Sequence, residues 1–109
     1  MSDQTVPEID VLEAQNRTED GALLVDVREQ NEYDDAHIPG SILLPLSEFA
    51  QRYEELPKDK PLIMQCRSGA RSGQATEFLL QNGYSDVVNM AGGILAWGVA
   101  ELPVEHKED

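Results

Sequence analysis

A chain of 109 residues with 40% hydrophobic and 27% charged content can bury one hydrophobic core but not two. Its 21 acids against 8 lysines and arginines leave a net charge of −13, which repels nucleic acid and anionic membrane surfaces. No apolar run is long enough to cross a bilayer, MSDQTVPEID lacks a basic-then-apolar signal pattern, and one cysteine excludes an internal disulfide framework. A reducing cytoplasm is therefore the expected compartment. A single domain over 1–109 is expected, with its core at about 6–104 and a loose charged tail at 105–109.

Reading from the N-terminus, VPEID suits a short strand, and Asp10 stands where an N-cap would open a helix over VLEAQNR. ALLVDV, Ala22 to Val27, follows the turn residues EDG and reads as a buried strand. EQNEYDDA is a short polar helix or turn, stopped by Pro39-Gly40. SILLPL is a brief extended segment. Ser47 has the position of an N-cap for a helix that places Phe49, Tyr53 and Leu56 on one face.

PLIMQC, Pro61 to Cys66, is another buried strand, and GQATEFLLQNG reads as a helix ending at Gly83. SDVVNM is a further strand, and Gly92-Gly93 turns into a last helix over ILAWGVAEL. Strands alternating with helices predict an α/β fold, a parallel sheet with helices on both faces. Ligands in such sheets sit beyond the carboxyl ends of the strands, which is where Cys66 falls.

The stretch CRSGARS, Cys66 to Ser72, combines the only thiol with Arg67 and Arg71 in a window, residues 60 to 76, that has no acid. A loop leaving a strand and entering a helix aims successive backbone N–H groups at one centre, where the helix dipole also favours an anion. A thiol there is held as thiolate, below the free value of ~8.5. Gly69 permits a tight turn, and Ser68 and Ser72 are donors to the loop or to a ligand. The pattern suits a nucleophile that carries a transferred group as a covalent adduct. The plainer alternative is a small buried hydrophobe at a strand end.

His37, in AHIPG, is the candidate base. A turn imidazole more often bonds nearby backbone, and a loop-held thiolate needs no base. His106 lies in the charged tail and is expected to be solvated. Met64, Trp97 and the tyrosines fit core or helix-face positions. No acid cluster has metal-ligand spacing and no nucleotide-binding glycine motif is present, so neither metal nor cofactor is expected.

Three stretches together resemble the rhodanese-like family: LLVDVREQNEYDDAHIPGSILLPL, CRSGARS, and NMAGGILAWGVAELPV. The likeness runs from about residue 6 to 104. It implies a three-layer α/β fold with a five-stranded parallel sheet, and sulfurtransferase chemistry. Cys66 matches the persulfide-forming nucleophile, and Arg67, Ser68, Gly69, Ala70 and Arg71 match the loop that cradles the persulfide and an anionic donor. Asp26 and Arg28 match the acid and base ending the second strand, where they brace structure, with Arg28 pairing an acid such as Glu32. The implied partners are a small anionic sulfur donor such as thiosulfate and a thiol, cyanide or protein acceptor, with the chain acting as a monomer.

The chain departs from thiosulfate-specialised members, whose loops are CRKGVT-like. Ser68 replaces their lysine and Glu32 stands where they carry a basic residue, which points away from thiosulfate as the physiological donor. Ala36 and Glu101 replace glycines at positions of less consequence. Two other readings come with the resemblance. Related domains with a larger loop are cysteine phosphatases or arsenate reductases, but they need Cys-x5-Arg, and this chain has one residue fewer between Cys66 and Arg71. With Arg71 one position early, its side chain is expected to point away from the pocket centre. A non-catalytic interaction module is the third reading, opposed by the intact cysteine loop.

Overall fold

A computed structural model describes residues 6–107. Five parallel strands form the central sheet: β1 (Glu8–Ile9), β2 (Leu23–Asp26), β4 (Ile42–Leu43), β5 (Leu62–Gln65) and β6 (Val87–Met90), in spatial order β1-β6-β5-β2-β4. The helices are α1 (Val11–Glu19), α2 (Gln30–Asp35), α3 (Phe49–Arg52), α4 (Ala70–Gln81) and α5 (Gly93–Val99). A small antiparallel ribbon pairs β3 (Ala36–His37) with β7 (Glu105–His106).

The apolar runs of the central strands are continuous because both faces of the sheet are covered. Val25, Leu62, Met64 and Val87 point into one core with Phe49, Leu56, Ala75 and Leu79, from the side of α3 and α4. Leu24, Ile63 and Met90 point into the other with Val11, Ala14 and Trp97, from the side of α1 and α5. Successive strand residues therefore alternate between two buried layers, as the pleat requires. The β2–β5 register sets Asp26 beside Gln65, so both chains end their pairing at the level where Cys66 leaves the sheet.

The α1 N-terminus forms as the sequence predicts. Asp10 is extended (φ −85°, ψ 175°), and its Oδ1 accepts from Glu13 N at 2.8 Å. Three expectations need correction. Ser47 is not a helix N-cap: a 3-10 turn over Leu46–Glu48 follows Pro45, α3 is capped by Glu48, and a second 3-10 turn covers Tyr53–Glu55. Ser47 Oγ donates instead to Glu29 Oε1 at 2.8 Å, a partner that only the tertiary arrangement supplies. Phe49 and Leu56 are nevertheless buried and Tyr53 packs against them, so the apolar spacing was informative although the cap was not.

Secondly, α4 opens at Ala70, earlier than GQATEFLLQNG suggests, and closes at Gln81, with Gly83 beyond it at φ 91°. Thirdly, the tail expected to be loose is tied down through Lys107, while residues 108–109 lie outside the described residues. Lys107 N donates to Asp35 O at 2.9 Å, and Glu105 Oε1 lies 2.9 Å from His37 Nε2. Burial periodicity carried no signal for β7, because both of its residues are exposed.

Asp10→Ala removes the side-chain acceptor for an orphan N–H of α1 and is expected to lower unfolding stability by about 1 kcal/mol. Urea denaturation monitored by circular dichroism measures it. A change confined to the cap shifts the midpoint and leaves the slope unaltered.

Candidate active site

The site is built where β5 ends and α4 begins. Cys66 is buried, and its Sγ accepts from Gly69 N at 3.1 Å, Ser72 N at 3.4 Å and Ser72 Oγ at 3.3 Å. Gly69 makes this turn possible. It caps α4 at φ 107°, a conformation that L side chains rarely adopt, and so reverses the chain within three residues of the sulfur. Ser72 stands at the third helical position, where its N–H lacks an intrahelical partner; the sulfur takes the place of a capping oxygen.

Burial pushes the Cys66 thiol up, because a buried thiolate loses hydration. The hydrogen bonds from the Ser72 hydroxyl and from the Ser72, Gly69 and Ser68 backbone N–H groups outweigh it together. The thiol is held below its ordinary value.

A second element supports the loop from behind. Ile94 N donates to Cys66 O at 2.9 Å and Leu95 N to Arg67 O at 3.2 Å. The first turn of α5 thus satisfies the two carbonyls that the loop leaves unpaired as it departs from the sheet. This contact brings backbone against backbone at Gly93, where φ is 60° and an added Cβ would fall 2.3 Å from Cys66 O. Asn89, on β6, completes the brace: its Nδ2 donates to Gly69 O at 3.0 Å and to Glu8 Oε2 at 3.0 Å.

Of the residues named from the sequence, Cys66, Gly69 and Ser72 meet at the sulfur. Arg67, Ser68 and Ala70 form the exposed outer edge of the loop. The Arg71 side chain is engaged by Glu32, within range of the Cys66 charge but with no hydrogen bond to the sulfur. Its Nη1 and Nη2 donate to Glu32 Oε1 and Oε2 at 2.8 and 3.0 Å. That fork is the main reason the Glu32 carboxyl is lowered to about 2, and it raises Arg71 in turn.

The expected Arg28–Glu32 pair is therefore corrected. Arg28 instead takes Asp26, two residues earlier, with Nε and Nη2 donating to the carboxylate at 2.8 to 3.1 Å, and Nη2 also reaches Ala36 O at 2.7 Å. Both side chains are almost fully buried, so each neutralises the other's charge where water cannot. The pair locks the end of β2 to the start of β3, and neither side chain touches the sulfur.

His37 does not approach the site. Its ring stacks on Tyr33 at 4.0 Å, its Nδ1 lies 3.0 Å from Tyr33 O, and its Nε2 faces Glu105. His106 is exposed. Sequence reasoning missed Asn89 and the carbonyl-capping role of Ile94 and Leu95. The Gly92-Gly93 pair is the available sequence signal, and taken along the chain it indicates only a turn. Among the described residues, no group of three or more His, Cys, Asp or Glu side chains is placed to hold a metal ion.

The family model described as rhodanese-like domain matches residues 10–100. The chain is 45% identical over 91 residues to a protein of Allochromatium vinosum named sulfurtransferase, covering 84% of each. It is 35% identical to the thiosulfate sulfurtransferase GlpE of Haemophilus influenzae, over 90% of this chain and 93% of that one. The crystal structure of a rhodanese-related protein from Thermoplasma volcanium superposes with a TM-score of 0.86 at 32% identity, covering 94% of this chain and 99% of the other.

The rate of Cys66 alkylation is expected to rise with pH to a plateau whose midpoint lies below that of free cysteine. Ser72→Ala, which removes one donor to the thiolate, moves that midpoint back toward the free value. Gly93→Ala forces a Cβ into the Cys66 and Arg67 carbonyls and is expected to cost more than about 2 kcal/mol in urea unfolding.

Proposed function

Because the chain belongs to the rhodanese-like family, we propose that it is a sulfurtransferase that carries a sulfane sulfur as a persulfide on Cys66. One observation carries this reading: three hydrogen bonds converge on the sulfur of the sole cysteine at the N-terminus of α4. A thiolate so held is ready to attack the outer sulfur of a donor. The donor's leaving group departs with the electron pair of the broken S–S bond. Cys66 then holds a persulfide, and the exposed edge of Arg67, Ser68 and Ala70 faces the incoming donor or acceptor.

Backbone N–H groups that favour Cys66 thiolate also favour a persulfide anion one sulfur atom further out, so the same loop serves both states. A thiol, cyanide or a protein cysteine completes the cycle by attacking the outer sulfur and restoring the thiolate. Neither metal nor organic cofactor enters this cycle, since the sulfur itself is the carried group. The strong negative charge supports a partner other than nucleic acid or an anionic membrane surface. We further propose that residues 1–109 act as one domain with its core at about 6–104, as a monomer, in a reducing cytoplasm where the thiol survives.

The phosphatase reading is disfavoured by Arg71. A phosphoryl group needs an arginine fork at its equatorial oxygens, and here both arms of that fork are taken by Glu32. The interaction-module reading leaves the lowered thiol and its convergent donors without a role.

Incubation with a sulfane-sulfur donor is expected to yield a species one sulfur atom heavier by intact mass, reversed by a thiol reductant. Cys66→Ser, which keeps the fold, is expected to gain no sulfur and to reduce transfer to background. The wild type is expected to leave aryl phosphates intact; robust hydrolysis of them, or transfer by Cys66→Ser at the wild-type rate, would falsify the proposal.

A further inference from the structure

Arg28 is only 5% exposed, and its guanidinium is only partly used. Nε and Nη2 donate to Asp26, and Nη2 also reaches Ala36 O. Those bonds leave over both N–H groups of Nη1, since an arginine carries five. Among the described residues nothing accepts from Nη1, yet the atom is not sealed in the interior. A charged donor held largely out of water is costly to leave unpaired, so it calls for an acceptor.

Arg28 meets solvent at a cleft of about 400 Å³ between α2, α5 and the β3–β7 ribbon. Cys66 is not part of its lining, so the cleft is a place apart from the sulfur. Arg67 borders it, exposed and without a side-chain ion pair among the described residues, and His106 adds a ring from β7. Leu95 and Val104 give it an apolar wall, and Leu95 is 47% exposed. On the side of α2 stand two acids. Glu32 already gives its oxygens to Arg71, whereas Asp35 has no ion pair among the described residues. Two arginines against one unengaged acid attract a monoanion, while a polyanion meets repulsion from both α2 carboxylates. The apolar wall is of no use to a bare inorganic ion.

We propose that this cleft is a binding site for an aliphatic carboxylate, distinct from the cysteine pocket: the carboxylate accepts from Arg28 Nη1 and Arg67, and the alkyl chain lies on Leu95 and Val104. The inference goes beyond sulfur transfer and stands whether or not Cys66 carries sulfur. One carboxylate has lone pairs enough for both arginines, and charge-assisted bonds of this kind are short and strong. The chain covers Leu95, an apolar side chain that the fold leaves half in water. No covalent bond is made or broken.

Titration of the isotope-labelled protein with hexanoate, hexanol and inorganic phosphate, followed by amide shifts, tests the proposal. Hexanoate is expected to saturate, with shifts grouped at Arg67, Leu95, Gly98, Val104 and His106, and to bind Cys66→Ser as it binds wild type. The Arg28 Nε–H resonance is expected to move with it, which reports the buried guanidinium directly. Hexanol and phosphate each lack one half of the ligand and are expected to bind about fivefold or more weaker. Arg67→Gln is expected to weaken hexanoate about threefold or more, and Asp35→Asn, which removes the opposing charge, to tighten it about twofold. Both positions are exposed, so both variants keep the fold. Phosphate binding as tightly as hexanoate makes the cleft an adventitious ion site only, and hexanol binding as tightly makes it an apolar groove; either overturns the inference. So does hexanoate that fails to saturate, an Arg28 Nε–H signal that stays in place, or an affinity unchanged in both variants.

Discussion

The carbonyl of Cys66 and the sulfur of Cys66 are held by opposite sides of the fold, and the loop depends on both. Ile94 N, at the start of α5, takes the carbonyl, while Gly69 and Ser72 on the α4 side hold the sulfur. The two helices lie on opposite faces of the sheet. The loop is therefore clamped between layers rather than draped over one, which is how a short turn rich in serine and glycine keeps its N–H groups convergent before any ligand arrives. Preorganisation of this kind removes the cost of ordering donors during the reaction.

Gly93 is where that clamp has its least tolerance. An α5 start with any side chain would stand off from the Cys66 and Arg67 carbonyls and break the two bonds that hold them. Asn89 extends the clamp to the edge strand, since one amide group bridges Gly69 O and Glu8. Loop geometry is thus set by β1, β5, β6, α4 and α5 together. The chemistry resides in one residue; the positioning of that residue is a property of the whole sheet end.

Charge near the site follows a similar division of labour. The chain carries a large excess of acid, and two of those acids pair with Arg28 and Arg71 near the loop. Asp26 holds Arg28 in the interior, where separation would leave a buried charge, and Glu32 holds Arg71 at the rim. What remains to favour the thiolate is chiefly backbone dipole and the Ser72 hydroxyl.

By itself the sequence determined the parallel α/β plan, the order of its strands and helices, and the position of the thiol at a strand end. These are legible because hydrophobic periodicity and turn residues are local signals, and because PLIMQC and CRSGARS lie next to each other in the chain. The three family-like stretches extended that reading to a five-stranded sheet. Tertiary structure alone decided which arginine meets which acid, since Arg28 had both Asp26 and Glu32 within a few residues and only the path of α2 selects between them. It likewise decided that Ser47 serves Glu29 rather than a helix end, that Glu105 and His106 form a ribbon with Ala36 and His37, and that Ile94 and Leu95, just after the glycine pair, cap the carbonyls of the cysteine loop. All of these except the Arg28–Asp26 pair join residues distant in sequence, and a pairing across such distances leaves no period or spacing along the chain by which to read it.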